Sequence, residues 1–205
     1  MGTTGLFLCL FLVVHLAGNL TLFKNDGGAA FNEYSKFMST SGLIRAAEVI
    51  LFLGFLFHII DGIVLTLKNR SARPTRYFVN SPSANSNWSS RNMGITGSLV
   101  FVFLVVHLNT FFLKQRILET HEDMYKAVED AFQRGWSGWY WAFYVVAMVL
   151  MGFHLHHGFQ SGFQSLGLNH KKYTPLIEKC GLLFSIIIPA GFAAIPIYFF
   201  FFRAS

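Results

Sequence analysis

Phe11-Leu12-Val13-Val14-His15-Leu16 returns, letter for letter, as Phe103-Leu104-Val105-Val106-His107-Leu108. Between and after these copies, Phe57-His58-Ile59-Ile60-Asp61-Gly62 and Phe153-His154-Leu155-His156-His157-Gly158 share a second pattern: Phe-His, three residues, Gly. All four stretches are apolar apart from their histidines and Asp61. The chain therefore reads as two related halves, each with two hydrophobic segments and one matched histidine per segment.

Working outward, the composition says what those segments are. Of 205 residues, 53% are hydrophobic, 13% are charged and 24 are Phe, more than a water-soluble domain requires. Five stretches are long enough to cross a hydrocarbon core of about 30 Å at 1.5 Å per helical residue: Thr3 to Phe23, Ala46 to Leu67, Gly94 to Leu113, Trp136 to Gly158 and Cys180 to Phe202. The expected fold is an all-α membrane protein of five transmembrane helices, one domain over 1–205. An ionisable group inside a membrane is costly and usually functional. Two matched pairs of neutral imidazoles facing each other across a bundle are what a metal centre, above all haem iron, requires.

The first stretch lacks a basic leader, exceeds an ordinary signal-peptide core and carries His15, so it is expected to be a mature helix. Cys9 and Cys180 form no spaced motif, which argues against a disulfide framework or a zinc site. The net charge of +6 is not spread as a nucleic-acid surface would be. Lys68, Arg70, Arg73, Arg76 and Arg91 lie between the second and third spans, and Lys171, Lys172 and Lys179 between the fourth and fifth. By the positive-inside rule these connections are cytoplasmic, which places the N-terminus inside and the C-terminus outside.

Ala29 to Met38 has the spacing of a short amphipathic helix at the outer surface. Lys114 to Arg134 reads as a charged surface helix, and Trp136, Trp139, Tyr140 and Trp141 as an outer aromatic belt. Gly62 and Gly158 either clear space for a flat macrocycle or let helices approach. Asp61 is expected to pair with Lys68 or Arg70. The fifth span, with Pro189 and Pro196 but no histidine, is expected to pack outside the four others. Alternating helix directions put His15 and His107 at one depth and His58 and His154 at another. These pairings would hold an outer and an inner haem, with His154 rather than His157 the ligand because its register to the glycine matches that of His58.

In these residues the chain resembles the cytochrome b subunit of bacterial succinate:quinone oxidoreductase in its five-helix, dihaem form, and is similar to the fumarate reductase anchor. The resemblance runs through Thr4-Gly5-Leu6-Phe7, His15-Leu16-Ala17-Gly18-Asn19-Leu20, Phe31-Asn32-Glu33-Tyr34, Asn69 to Pro74, Ser90-Arg91-Asn92-Met93 and His154 to Gly158, followed by Phe163-Gln164-Ser165-Leu166-Gly167. It implies a four-helix haem-binding bundle with a fifth, peripheral helix, and two haems b ligated by His15, His107, His58 and His154. It also implies a quinone, usually menaquinone, and two soluble partners: a flavoprotein with FAD and an iron–sulfur protein. The complex would sit in the bacterial cytoplasmic membrane, serve electron transport and the tricarboxylic acid cycle, and could form higher oligomers.

Arg73, Arg76 and Arg91 suit haem propionates or an acidic partner surface, and His157 could reach a propionate or a quinone. Quinone chemistry is expected at the outer end, near Asn32, Glu33, Tyr34, Arg45 and Glu48. The sequence departs from relatives in lacking a basic N-terminal extension and in placing Gly152 where fumarate-reducing relatives can carry a Glu. The chain has no FAD fingerprint and no CxxC cluster, so succinate chemistry would occur in the partners. Two rival readings are a dihaem anchor of another quinone-linked oxidoreductase and a haem-free transporter using histidines as proton relays.

Overall fold

The computed structural model describes residues 1–72, 86–114 and 123–203, and these are almost entirely helical. Helix α1 is Gly2–Asn19, extended by a 3₁₀ turn at Leu20–Phe23. Next come α2 (Ala29–Thr40), α3 (Gly42–Ser71), the single turn α4 (Trp88–Arg91) and α5 (Met93–His107), which runs on as a π-helical segment over Leu108–Leu113. Then follow α6 (Met124–Arg134), α7 (Tyr140–Ser165) and α8 (Thr174–Phe202). Five of these helices, including the extensions of α1 and α5, are long and apolar enough to cross a membrane. Helices suit that solvent because each satisfies its own backbone hydrogen bonds.

The helix boundaries differ from the expected spans for local reasons. Helix α3 gains about a turn at each end, carrying Arg45, Lys68 and Arg70 beyond the expected span. Helix α7 starts four residues late because Trp136 and Ser137 adopt left-handed backbone angles, φ 47° and 57°, in a tight turn. It then continues past Gly158 to Ser165, and Gly167 at φ 76° lies just beyond its end. Helix α8 begins at Thr174-Pro175, since proline is tolerated in a first turn whose N–H groups have no partner.

Helix α1 packs on α3 and α7, α5 packs on α7, and α3 touches α5 more sparsely. Neither diagonal, α1 with α5 nor α3 with α7, is closely packed. Helix α8 lies along α7 and also touches α1. Gly152 lets it come close, because a Cβ there would sit 3.0 Å from the Ser185 carbonyl oxygen and 3.7 Å from Pro189 Cγ. Pro189, four residues after Ser185, has no N–H to give that carbonyl. A glutamate at position 152 would have to displace backbone.

One end of the bundle, opposite Met1, is closed by α2 and α6. Asp26 accepts from the N–H groups of Gly28 and Ala30, each at 3.0 Å, and so starts α2. Gly28, at φ 90°, leaves no room for a Cβ against the Tyr125 ring. Helix α6 corrects the expectation of a merely charged surface helix. Its Ala127 is buried, and its Tyr125, Val128 and Phe132 are buried in one core with Leu22, Phe31, Tyr140, Tyr144, Ile195 and Phe199. Residues 115–122, including His121, lie outside the described residues. Helix α3 is the opposite case: none of its residues is buried, and Phe57, Ile60 and Ile63 are exposed as a lipid-facing helix would leave them.

Candidate metal-ligand site: two imidazole layers

Each diagonal of the bundle is bridged by a histidine pair. The rings of His15 on α1 and His107 on α5 have centroids 5.9 Å apart, and those of His58 on α3 and His154 on α7 are 6.3 Å apart. The four helices thus carry two layers, one towards the Met1 end (His58/His154) and one towards the α2/α6 end (His15/His107).

Around His15 and His107 the walls are aromatic. Phe11 stacks on His15 at 5.1 Å, and Phe192 of α8 approaches it at 5.5 Å, so α8 contributes to this layer. Phe103 and Phe111 flank His107 at 5.7 and 5.5 Å. His107 Nδ1 is 3.0 Å from the Tyr144 hydroxyl, which is 3.2 Å from that of Tyr140. Tyr140 donates at 2.8 Å to Thr110 of the π-helical segment, and Thr110 donates in turn to the Val106 carbonyl at 3.0 Å. On the other side of the layer, His15 Nδ1 lies 3.5 Å from the Asn19 amide nitrogen, which donates to the His15 carbonyl at 2.8 Å.

Tyr144 was not among the residues singled out from the sequence, and Tyr140 was expected in the outer aromatic belt. Tyr140 is 2% exposed and belongs to this buried chain of hydroxyls, not to the aromatic belt, whereas Trp139 is 72% exposed. Their spacing of four residues on one helix face was the available signal.

Around His58 and His154 the neighbours are small. A Cβ on Gly5 would lie 3.4 Å from His58 Cε1, and one on Gly97 would lie 3.2 Å from His154 Cε1. Gly62 and Gly158, the glycines noted in the sequence, face elsewhere: their Cβ positions meet Met1 Cε at 3.5 Å and Met93 Cε at 3.4 Å. Gly162 meets Leu6 and the Gly2 carbonyl oxygen, a helix-packing contact between α7 and α1. Thr4 Oγ1 is 3.3 Å from His58 Nδ1, while His154 Nδ1 is buried without a hydrogen-bond partner among the described residues. Asp61 pairs with the amino group of Met1 at 2.8 Å, not with Lys68 or Arg70.

The remaining expected site residues are dispersed. His157 is half-buried and lines a polar cavity of about 270 Å³ with Ser90, Gln160, Ser161 and Gln164. Arg91 donates to the Ser86 carbonyl near that cavity; Arg73 and Arg76 lie outside the described residues. Glu33 is exposed on α2. Its neighbour Asn32 ties α2 to α6, donating to Asp123 at 2.9 Å and accepting from the Tyr125 N–H at 2.9 Å. The Lys126 N–H donated to Asp123 is the main cause holding its carboxyl below the usual carboxylate range, with the Asn32 amide adding to it. Arg45 and Glu48 pair with each other at 3.3 Å.

The donor set can be tested against a cofactor. Among the described residues no group of three or more His, Cys, Asp or Glu is placed to hold a bare ion. Two imidazoles suit a metal whose other ligands come from a macrocycle. Nitrogens about 2 Å from a shared metal put the ring centres roughly 6 Å apart, and both pairs meet this. By ring spacing and donor type, each pair matches what a bis-histidine group would use.

The fold and these pairs define a multi-pass helical membrane protein with two imidazole layers. No protein-family model, curated protein or solved structure matches the chain.

Proposed function

We propose that the chain is the membrane anchor and electron-transfer subunit of a succinate:quinone oxidoreductase. His15 and His107 hold one haem b and His58 and His154 a second, with the N-terminus on the cytoplasmic side of a bacterial membrane. The observation that carries the reading is the pair of imidazole contacts across both diagonals of one bundle. A haem supplies reversible one-electron transfer when bound. The chain's own residues orient the four imidazoles, surround them with apolar side chains and keep water from the layers.

In this reading the iron–sulfur partner docks at the Met1 end, where Lys68, Arg70 and Arg91 lie, and its flavoprotein neighbour oxidises succinate. His157 and its polar cavity suit a propionate or a quinone carbonyl at that end. Quinone, most simply menaquinone, reacts at the opposite end beneath α2 and α6. Asn32 is already engaged by Asp123 and Tyr125, so exposed Glu33 is the free carboxylate of that segment.

The test is a pyridine haemochrome assay and a reduced-minus-oxidised spectrum of the purified protein, alone and with its co-purifying subunits. Two haems b per chain, reducible by succinate when a flavoprotein co-purifies, is the expected result. Absence of haem would return the histidines to a proton-relay role in a transporter. Haem that succinate cannot reduce would point to an anchor of another oxidoreductase.

A further inference from the structure

The Tyr144 hydroxyl beside His107 is one link in a series that ends on a backbone carbonyl. The contacts run from His107 Nδ1 to Tyr144 at 3.0 Å, from Tyr144 to Tyr140 at 3.2 Å, from Tyr140 to Thr110 at 2.8 Å and from Thr110 to the Val106 carbonyl at 3.0 Å. Tyr140 and Tyr144 are 2% and 6% exposed, and Phe103, Phe111 and Phe132 pack against the Tyr144 ring. The hydroxyls therefore lie among apolar rings and satisfy one another. The first half of the repeat is built differently. Counting from the matched histidines, Gly18 stands where the second half has Thr110 and Glu48 where it has Tyr144, and Glu48 pairs with Arg45 at 3.3 Å.

Four contacts share four protons, and one arrangement alone fills them all. The Val106 carbonyl can only accept, so Thr110 gives its single proton there. The Thr110 oxygen then accepts from Tyr140, whose one proton is thereby committed. Tyr140 in turn accepts from Tyr144, and Tyr144, its own proton committed, can only accept from His107 Nδ1. A neutral imidazole carries one N–H, so a proton on Nδ1 leaves the lone pair on Nε2. At His15 Nδ1 the approach is from a donor instead: the Asn19 amide nitrogen at 3.5 Å, which also gives a proton to the His15 carbonyl.

We propose that Thr110, Tyr140 and Tyr144 form a one-way series of hydroxyls that fixes His107 as its Nδ1–H tautomer, with Nε2 as the ligand atom, and lowers the potential of the haem in this layer. This rests on the dihaem reading. All three are positioning residues, and their effect is electronic as well as geometric. An acceptor on Nδ1–H makes the ligating nitrogen a stronger electron donor, which favours the ferric state and lowers the midpoint potential. Each hydroxyl polarises the next, so the effect fades along the series from Tyr144 to Tyr140 to Thr110.

The experiment uses the purified protein carrying His58→Ala, which isolates the His15/His107 haem. Haem content and a spectroscopic redox titration are the readouts. Tyr144→Phe should keep the haem and raise its midpoint potential, and Tyr140→Phe, which leaves the group beside His107 in place, should raise it less. Thr110→Val should raise it least, and Thr110→Ser should restore it. The proposal is overturned if Tyr144→Phe or Tyr140→Phe keeps the haem at an unchanged or lowered potential, or if Thr110→Val and Thr110→Ser give the same potential. Should Tyr144→Phe not hold haem, Tyr140→Phe and the Thr110 pair decide by the same rule. If the unaltered protein holds no haem, the proposed function itself fails; two haems with silent hydroxyl variants would sink only the series.

Discussion

His58 and His154 each sit against a glycine, and the packing on the two sides of their layer matches, Gly5 with Gly97 and Met1 with Met93, although only His58 Nδ1 has a hydroxyl, that of Thr4, within 3.3 Å. His15 and His107 sit among phenylalanines, and the two sides of their layer do not match. His107 faces the Tyr144 hydroxyl, while His15 Nδ1 has only a 3.5 Å approach from Asn19. The neighbours of the halves explain the difference. At the Met1 end α1 meets α3 and α5 meets α7 through the same contacts, Gly5 on His58 and Gly97 on His154. At the other end the first half leads into α2 and the second into the π-helical segment and α6, with α8 adding Phe192. An internal repeat is kept where its copies face equivalent neighbours and is lost where they do not.

Under the proposed dihaem function, the largest effect that tests this comparison is loss of a whole cofactor. His15→Ala and His107→Ala should each remove the same one haem, and His58→Ala and His154→Ala the other, as counted by pyridine haemochrome. If His154→Ala kept both haems while His157→Ala lost one, the ligand would lie three residues further along α7 and the matched layer would have to be redrawn.

A smaller effect is expected on the unmatched side alone. Tyr144→Phe removes the hydroxyl next to His107 Nδ1 and also interrupts the contact with Tyr140. Leaving buried polar groups without a partner costs about 1–3 kcal/mol, which thermal unfolding in detergent should register. In a redox titration one haem potential should move and the other stay fixed. Equal movement of both would mean that the layers are coupled more tightly than their separate neighbours imply.

The smallest effect concerns the α2/α6 cover. Asp123 caps α6 by accepting from the Lys126 N–H, and its folded-state carboxyl titrates below the unfolded one. Its contribution is therefore fully present above the unfolded carboxylate range and is lost as pH falls through the lowered folded value. Asp123→Asn should cost about 1 kcal/mol at most near neutral pH, and the difference from the unaltered protein should vanish in acid. A penalty that persists in acid, once the folded-state carboxyl is protonated, would assign the role to Asn32 packing, not to the carboxylate.

Much of this was written in the sequence. Apolar length and composition determined the five long helices, and counting residues along alternating helices put His15 opposite His107 and His58 opposite His154. The apolar spacing of Tyr125, Val128 and Phe132 also marked the buried face of α6, although the charges around them dominated the reading. Tertiary structure alone decided which glycines face the rings, that Tyr140 turns inward to Tyr144, and that Gly152 receives the Ser185 carbonyl. The physical reason is that periodicity reports which residues share a helix face, whereas the identity of the opposing face depends on how each helix is rotated and crossed against its neighbours. Gly62 and Gly5 are equally small in the sequence; only the packing of α1 on α3 places one against Met1 and the other against His58.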